Sequence, residues 1–586
     1  MSEPSGLNSI KIGIDFGTTY SGIAWAHTST PGEINIIDKW VAKRNRTSAK
    51  VPSEIAYTSS GVKWGFGIPS EEPRLAWFKL LLDPTKYPHA STANSPLART
   101  RQLIPPGKKP VDIVADYLSE LYKHTIDHLE KSLRKDVVEA SALDFILTVP
   151  AVWSDAAKDL TLQAAKSAGF GRKKSICLIS EPEAAAVCCL KEIKPNNLSV
   201  GDTFVVADCG GGTVDVISYT ITKKSPKLEV VECVAGTGAV CGSTVLNKRF
   251  EELVRDRIGD KFDEMKHEAR LFMVKEFNDS LKRNFTDSED EDSFICPILG
   301  APDDSKAGIE DGVFVIYREE MRKIFDPVVQ EIVQLVQQQV KEVEKTKGNP
   351  SLEEMWIPPP GFSSRQTRRV KALVLVGGFG ESEYLRSQLQ NQIRTKDGRK
   401  LSILQPPNTW TAVVRGAVMR GLEGGMVRIR KAPNSYGNSH SEPFIHGFHP
   451  DEDGYIDPYI GMHMCAGRMQ WYVRKGDDVD ENRPLKQTFF ISLDEIGEMV
   501  PVSLLANGSP NPPNTSESAS IRTTCTIWVD TSVIPREKFT RRIGIIGQPY
   551  FMLEFDLLVK FQSASILYEF EVGGKVYRDV KVHYHS

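Results

Sequence analysis

Two stretches of this chain read as copies of one device. KIGIDFGTTYSGIAWA begins at Lys11, and FVVADCGGGTVDVISY begins at Phe204. Each is an apolar strand ending on an aspartate, a tight Gly/Thr-rich turn, and a second apolar strand. Asp15 aligns with Asp208 and Gly17 with Gly210, a separation of 193 residues. That is too long for a solenoid period but suits a duplicated lobe. Two such lobes facing each other bring both turns to one cleft, a favoured position for a ligand.

The intervening sequence alternates between strand and helix. Val114, Leu118, Leu121 and Leu129 recur at helical spacing, LDFILTVP reads as a buried strand stopped by Pro150, and AAKDLTLQAAKSAGF reads as a helix stopped at Gly169. Val328, Ile332, Leu335 and Val340 mark another helix, followed by strand, Gly turn and helix in ALVLVGGFGESEYLRSQL. This order indicates an α/β fold class. From about Ser435 the period becomes two: Leu553, Phe555, Leu557, Val559 and Phe561 alternate, as do Ile566, Tyr568, Phe570 and Val572. Gly573-Gly574 after the second run is a hairpin signal, so a small β-rich domain closes the 586 residues. TDSEDEDS, GNPSLEEMWIPPPGFSSRQ and GSPNPPNTSESAS read as a solvated acidic loop, a Pro-rich irregular insertion and a polar loop.

Charge narrows the partners. Lys+Arg 73 against Asp+Glu 76 leaves no polybasic footprint, which argues against nucleic acid and anionic membranes. No apolar run reaches the ~18 residues of a membrane span, so membrane insertion is not expected. MSEPSGLNSI lacks the basic and apolar regions of a signal peptide, and the nine cysteines form no CxxC pair. The expectation is a reduced, cytoplasmic chain.

The turns carry the chemistry. In GIDFGTTYSG the glycine frees consecutive N–H groups to point at phosphate oxygens, Thr18 and Thr19 add hydroxyls, and Asp15 offers a hard oxygen for Mg²⁺ or its waters. No GxxxxGK[ST] occurs. In DCGGGTVD three consecutive glycines at a strand end point to close backbone approach by a ligand, with Asp208, Asp215 and Thr213 alongside. Gly377 and Gly378 lie between a strand and a helix start, where an anionic or polar group is favoured. In ISEPEAAAVCCL, Ser180 and Glu183 form a capping-box pattern with Pro182 in the first turn, which leaves Glu181 without a structural role. HPDEDGYID opens on His449, and the last position of a Ca²⁺ loop begun there falls on Ile460, where acidic ligands are needed at both, so it reads as a turn.

GIDFGTTYSG, TVPAVW, SEPEAAA, ADCGGGTVDV and LVGGFGES follow the order of the ATPase domain of the 70-kDa heat-shock chaperones. The chain resembles the divergent twelfth-member-type branch of that family, within the actin/hexokinase-like superfamily. By motif the resemblance runs from Lys11 to Gly425, and it loosens beyond. It implies a two-lobe, actin-like ATPase fold with duplicated ribonuclease-H-like subdomains over 1–427, lobe I at about 1–203 plus 411–427 and lobe II at about 204–410. A β-rich, substrate- or partner-binding domain over 428–586 follows. It implies ATP/ADP with Mg²⁺, held by Gly17, Thr18, Thr19 and Tyr20 from one lobe and Gly210, Gly211, Gly212 and Thr213 from the other. Asp15 and Asp208 would order the metal shell, and Asp208 and Thr213 the attacking water. Glu181 matches the catalytic glutamate, Lys79 in RLAWFKLLLDP the lysine facing the γ-phosphate, and Pro150 the proline that relays nucleotide state. Asp279, Lys282, Arg283, Gly377 and Gly378 would form the adenosine pocket.

Some positions depart from the family pattern. Asp279 stands for a glutamate, Phe379 and Glu381 for serine and arginine, and Trp410 for an acidic residue. The apolar, acidic linker is replaced by GMVRIRKAPNSYGNS, and the chain ends VHYHS with no residues for a helical lid or an acidic tail. The resemblance implies a slowly hydrolysing, chaperone-like ATPase whose nucleotide state controls a surface for an unfolded polypeptide or a specific protein partner, with exchange factors acting on it. A small-molecule, sugar-type kinase and a nucleotide-bound, non-hydrolysing scaffold are the alternatives.

Overall fold

A computed structural model describes residues 9–42, 46–84, 96–171, 175–194, 197–299, 303–346, 369–578 and 580–585. The chain divides into two compact units, Met1–Trp153 with Leu160–Met426, and Ser154–Asp159 with Val427–Ser586. The architecture is mixed α/β, as the alternation of periods requires.

In the first unit, strand Ser9–Phe16 pairs parallel with Ala142–Val149 and antiparallel with Tyr20–His27. Ala142–Val149 pairs parallel with Ser175–Ser180, and Asn35–Ile36 adds antiparallel to Tyr20–His27. A second sheet repeats this order of pairings. Thr203–Cys209 is parallel to Val370–Val376 and antiparallel to Val214–Lys223. Ser402–Leu404 extends the parallel side and Glu229–Glu232 the antiparallel side. SIKIGIDF and TFVVADC are buried along nearly their whole length, on both faces, as interior strands with parallel neighbours are.

Helices supply the cover. Pro110–Leu133 buries Ile113, Val114, Leu118, Leu121 and Leu129 on one stripe, with Pro110 in its first turn. Helix Ala412–Glu423 lies on the first sheet so closely that a Cβ at Gly13 would stand 2.6 Å from the Val414 carbonyl oxygen. It also meets helix Glu181–Glu192, where a Cβ at Gly416 would stand 1.7 Å from the Ala184 oxygen. Helix Arg318–Lys345 runs through Pro327 and buries Met321, Phe325, Val329, Ile332 and Val336 against the second sheet's core.

One local expectation changes. Ser180 does sit at the N-cap of Glu181–Glu192, but its side chain makes no capping hydrogen bond. Glu183 is fully buried with Arg420 at 3.9 Å, so it cannot turn back to complete the box. The acidic loop after Thr286 is exposed as expected except at Asp287, which accepts from Arg322 Nε at 2.7 Å. The Pro-rich stretch lies outside the described residues.

The second unit is β-rich. One sheet runs Gly454–Ile456, His463–Val473, Ser435–Pro443, Met499–Asn507, Arg522–Asp530, Lys581–Tyr584. The other runs Leu485–Leu493, Pro549–Phe561, Ile566–Val572, Lys575–Tyr577, with Thr540–Ile543 also on Pro549–Phe561. Leu553, Phe555, Leu557, Val559 and Phe561 point into one core with Ile566, Tyr568, Phe570 and Val572. Gly573 and Gly574, at φ 53° and 83°, make the two-residue hairpin turn. Tyr436, fully buried, donates its hydroxyl to Asp155 Oδ2 at 2.9 Å. Among the described residues, no helix is long and apolar enough to cross a membrane.

Candidate functional site

Both Gly/Thr turns connect antiparallel strands directly. A Cβ on Gly17 would fall 2.3 Å from the Tyr20 oxygen, so the first turn closes only on glycine. In the second, the Gly210 N–H donates to the Thr213 oxygen at 2.9 Å. The turns meet. A Cβ on Gly211 would lie 2.1 Å from Thr19 Oγ1, and one on Gly212 2.7 Å from Thr18 Cγ2. Ser53 braces the first turn, its N–H donating to the Thr19 oxygen at 2.8 Å and its Oγ to the Gly17 oxygen at 2.7 Å. Ser243 and Thr244 brace the second, donating N–H groups to Gly210 and Gly211 at 3.1 and 2.9 Å. A cavity of about 280 Å³ opens between them, lined by residues of both turns together with Lys50, Lys79, Glu181 and Asp208.

Charge is concentrated at its floor. Lys79 Nζ donates to Glu181 Oε1 at 2.7 Å, with Phe16 and Trp153 rings 5.5 and 5.2 Å from the ammonium. Lys50 Nζ donates to Asp15 Oδ2 at 2.5 Å, while Thr148 Oγ1 reaches Asp15 Oδ1 at 3.4 Å. Asp208 pairs across the hairpin with Asp215. Burial, reinforced by Glu181, Asp215 and Asp15, holds the Asp208 carboxyl well above the usual carboxylate range. Glu181 is raised by burial, with Lys79 opposing. Asp215 is raised by burial and by Glu181, against amide donors from Val152 and Ala151, and its Oδ1 has no hydrogen-bond partner. Crowded carboxylates of this kind gain from a cation. No three acidic, His or Cys groups among the described residues form a metal cage. The donor set therefore fits a hard cation that brings phosphate and water ligands of its own.

The far end of the cavity is built differently. Gly377, at φ 83°, presses on the end of strand Thr203–Cys209, where a Cβ would meet the Cys209 oxygen at 2.3 Å and Asp208 Oδ1 at 2.5 Å. Trp410 donates its backbone N–H to Glu381 Oε1 at 3.2 Å, and its ring meets Tyr20 edge-on at 5.6 Å. The Arg283 guanidinium stands 5.6 Å from the same indole. Lys282 Nζ donates to Asn278 Oδ1 at 2.6 Å, Asn247 Oδ1 at 3.0 Å and the Ser243 oxygen at 3.3 Å. Burial, helped by Arg283, pulls Lys282 down to about 7.

Of the expected site residues, Asp15, Gly17, Thr18, Thr19, Tyr20, Lys79, Glu181, Asp208, Gly210, Gly211, Gly212, Thr213, Lys282, Arg283, Gly377 and Gly378 all line this one cavity. Asp279 does not; it pairs with Lys275 at 2.9 Å. The chain passes through a π turn at Phe277–Leu281, and it is Asn278, four residues before Lys282, that lines the cavity. Sequence reasoning missed Lys50, Ser243 and Thr244, which belong to no motif, and Asn278, which opens NDSLKRNF next to the Asp279 expected in its place.

Over most of its length the chain is similar to Heat shock 70 kDa protein 12B of Homo sapiens, 23% identical over 565 residues, 82% of this chain and 78% of the relative. Heat shock 70 kDa protein 12A of Mus musculus is 23% identical over 569 residues, 82% of this chain and 79% of the relative. A shorter stretch of 222 residues is 31% identical to Chaperone protein HscA homolog of Acinetobacter baumannii, covering 35% of this chain and 32% of that one. Residues 199–357 match a family described as Domain of unknown function (DUF8340).

Proposed function

We propose that this chain, a relative of the twelfth-member branch of the 70-kDa heat-shock family, binds Mg-ATP, hydrolyses it slowly, and uses nucleotide state to control a protein-binding surface. The contact of the two Gly/Thr turns across one cleft carries the reading: residues of both turns line the cavity that a polyphosphate would occupy. The matching order of pairings in the two sheets supports duplicated actin-like lobes within 1–427, with the β-rich 428–586 as the partner-binding domain. Names of the relatives, a heat shock protein and a chaperone, support a polypeptide client. Exchange factors would act on the bound nucleotide.

In this reading Gly17–Tyr20 and Gly210–Thr213 cradle the phosphates, Lys79 faces the terminal one, and Gly377, Gly378, Lys282 and Arg283 hold the nucleoside. Magnesium, when bound with the nucleotide, offsets phosphate charge, and Asp15 and Asp208 would hold its shell. Asp208 and Thr213 orient a water in line with the terminal phosphorus. Glu181, whose affinity for a proton is raised by burial, would receive that water's proton. Single-turnover hydrolysis of Mg-ATP tests this. Turnover in the wild type that falls at least ~100-fold in Asp208→Asn supports the ATPase. Tight binding with no turnover in either protein would favour the scaffold, for which the Glu381–Trp410 pairing at the nucleoside end is the motivating observation.

A further inference from the structure

Lys50 belongs to no motif, yet the chain is arranged to bring it into the cleft. It stands one residue before Val51–Pro52, which pairs with Ser21 and Tyr20 just past the first turn. The next residue, Ser53, is hydrogen-bonded to the turn itself through Thr19 and Gly17. Backbone on the C-terminal side of Lys50 is thus tied to the turn that faces the cavity.

The side chain then crosses Gly22, which lies opposite Asp15 in the strand pair. A Cβ at Gly22 would stand 3.1 Å from Lys50 Cγ and 3.4 Å from Cε, so the missing side chain leaves room for the lysine stem. The ammonium ends on Asp15 Oδ2, with the Lys50 side chain only 9% exposed. Its positive charge favours the ionised forms of Glu181 and Asp208 as well.

We propose that Lys50 is a positioning residue and a built-in counter-charge for the polyphosphate. It fixes Asp15 beside the first turn and supplies from the chain part of the positive charge that a divalent cation would otherwise bring. Nucleotide binding then depends on the divalent cation less than it would without a lysine on Asp15. This rests on the nucleotide reading above.

The test is binding of a fluorescent ADP analogue to the full chain, in excess magnesium and in EDTA, for wild type, Lys50→Gln and Lys50→Arg. Glutamine keeps a donor for Asp15 while removing the charge, and thermal melts confirm folding of each variant. Wild type is expected to lose no more than about tenfold in affinity on chelation. Lys50→Gln is expected to lose a further ten- to hundredfold in EDTA and little in magnesium, with Lys50→Arg restoring most of it. A wild-type affinity that collapses by about a thousandfold in EDTA overturns the proposal, whatever the variants do. Equal magnesium-to-EDTA ratios for wild type and Lys50→Gln overturn it too. Absence of nucleotide binding by wild type in both buffers overturns the underlying reading and this one together.

Discussion

Gly211 and Thr19 decide how closely the two turns stand. A methyl group at Gly211 would overlap the Thr19 side chain, so Gly211→Ala is expected to push the turns apart and weaken nucleotide binding at least ~10-fold by calorimetric titration. Gly211→Ala/Thr19→Ala should recover part of that loss, whereas simple unfolding would not be rescued by a second truncation. Lys282 gives a prediction in pH. Its folded value, about 7, lies below its ordinary 10.5, so between those limits the unfolded chain holds the extra proton and stability rises with pH. The advantage of Lys282→Met over wild type in nucleotide-free melts should therefore shrink from pH 7 to pH 10; an advantage constant with pH would count against the buried, uncharged lysine. Residues inside Gly/Thr motifs were readable because their signal is local. Lys50 was not, since its place depends on Val51–Pro52 pairing with a strand 30 residues earlier. Asn278 was hidden by a π turn that no propensity announces.

Among elements, the strand–turn–strand units were legible from alternating apolar runs ending on Asp15 and Asp208. Helix Arg318–Lys345 was legible only from Val328, because Pro327 reads as a break although the helix continues through it. Capping of Glu181–Glu192 was misread: a pattern of Ser and Glu three apart does not reveal that the glutamate is needed inside, facing Arg420. The tightest element contact is helix on helix at Gly416. Gly416→Ala would set a methyl against the Ala184 backbone, which cannot rotate away, and should cost at least about 1–3 kcal/mol in urea melts. Gly32→Ala, with nothing within 4 Å, is the neutral control. Equal stabilities for the two would mean that the helices are not in contact as described.

For the molecule as a whole, the mixed α/β class was legible from the switch between periods, and the change near Ser435 matches the start of a strand at Ser435–Pro443. What the periods do not carry is that Ser154–Asp159 clusters with the β-rich unit. Within that unit Tyr436→Phe should cost about 1 kcal/mol, read as a lower melting temperature, because the Asp155 carboxylate loses its buried donor. The lie of helix Ala412–Glu423 on strand Ser9–Phe16 has a consequence for biosynthesis. The ribosome makes the helix that shields that strand nearly 400 residues after the strand itself. At ~5–20 residues per second the nascent sheet waits for tens of seconds with an apolar face uncovered. Until that helix arrives, the nascent chain is itself a candidate for the care of others.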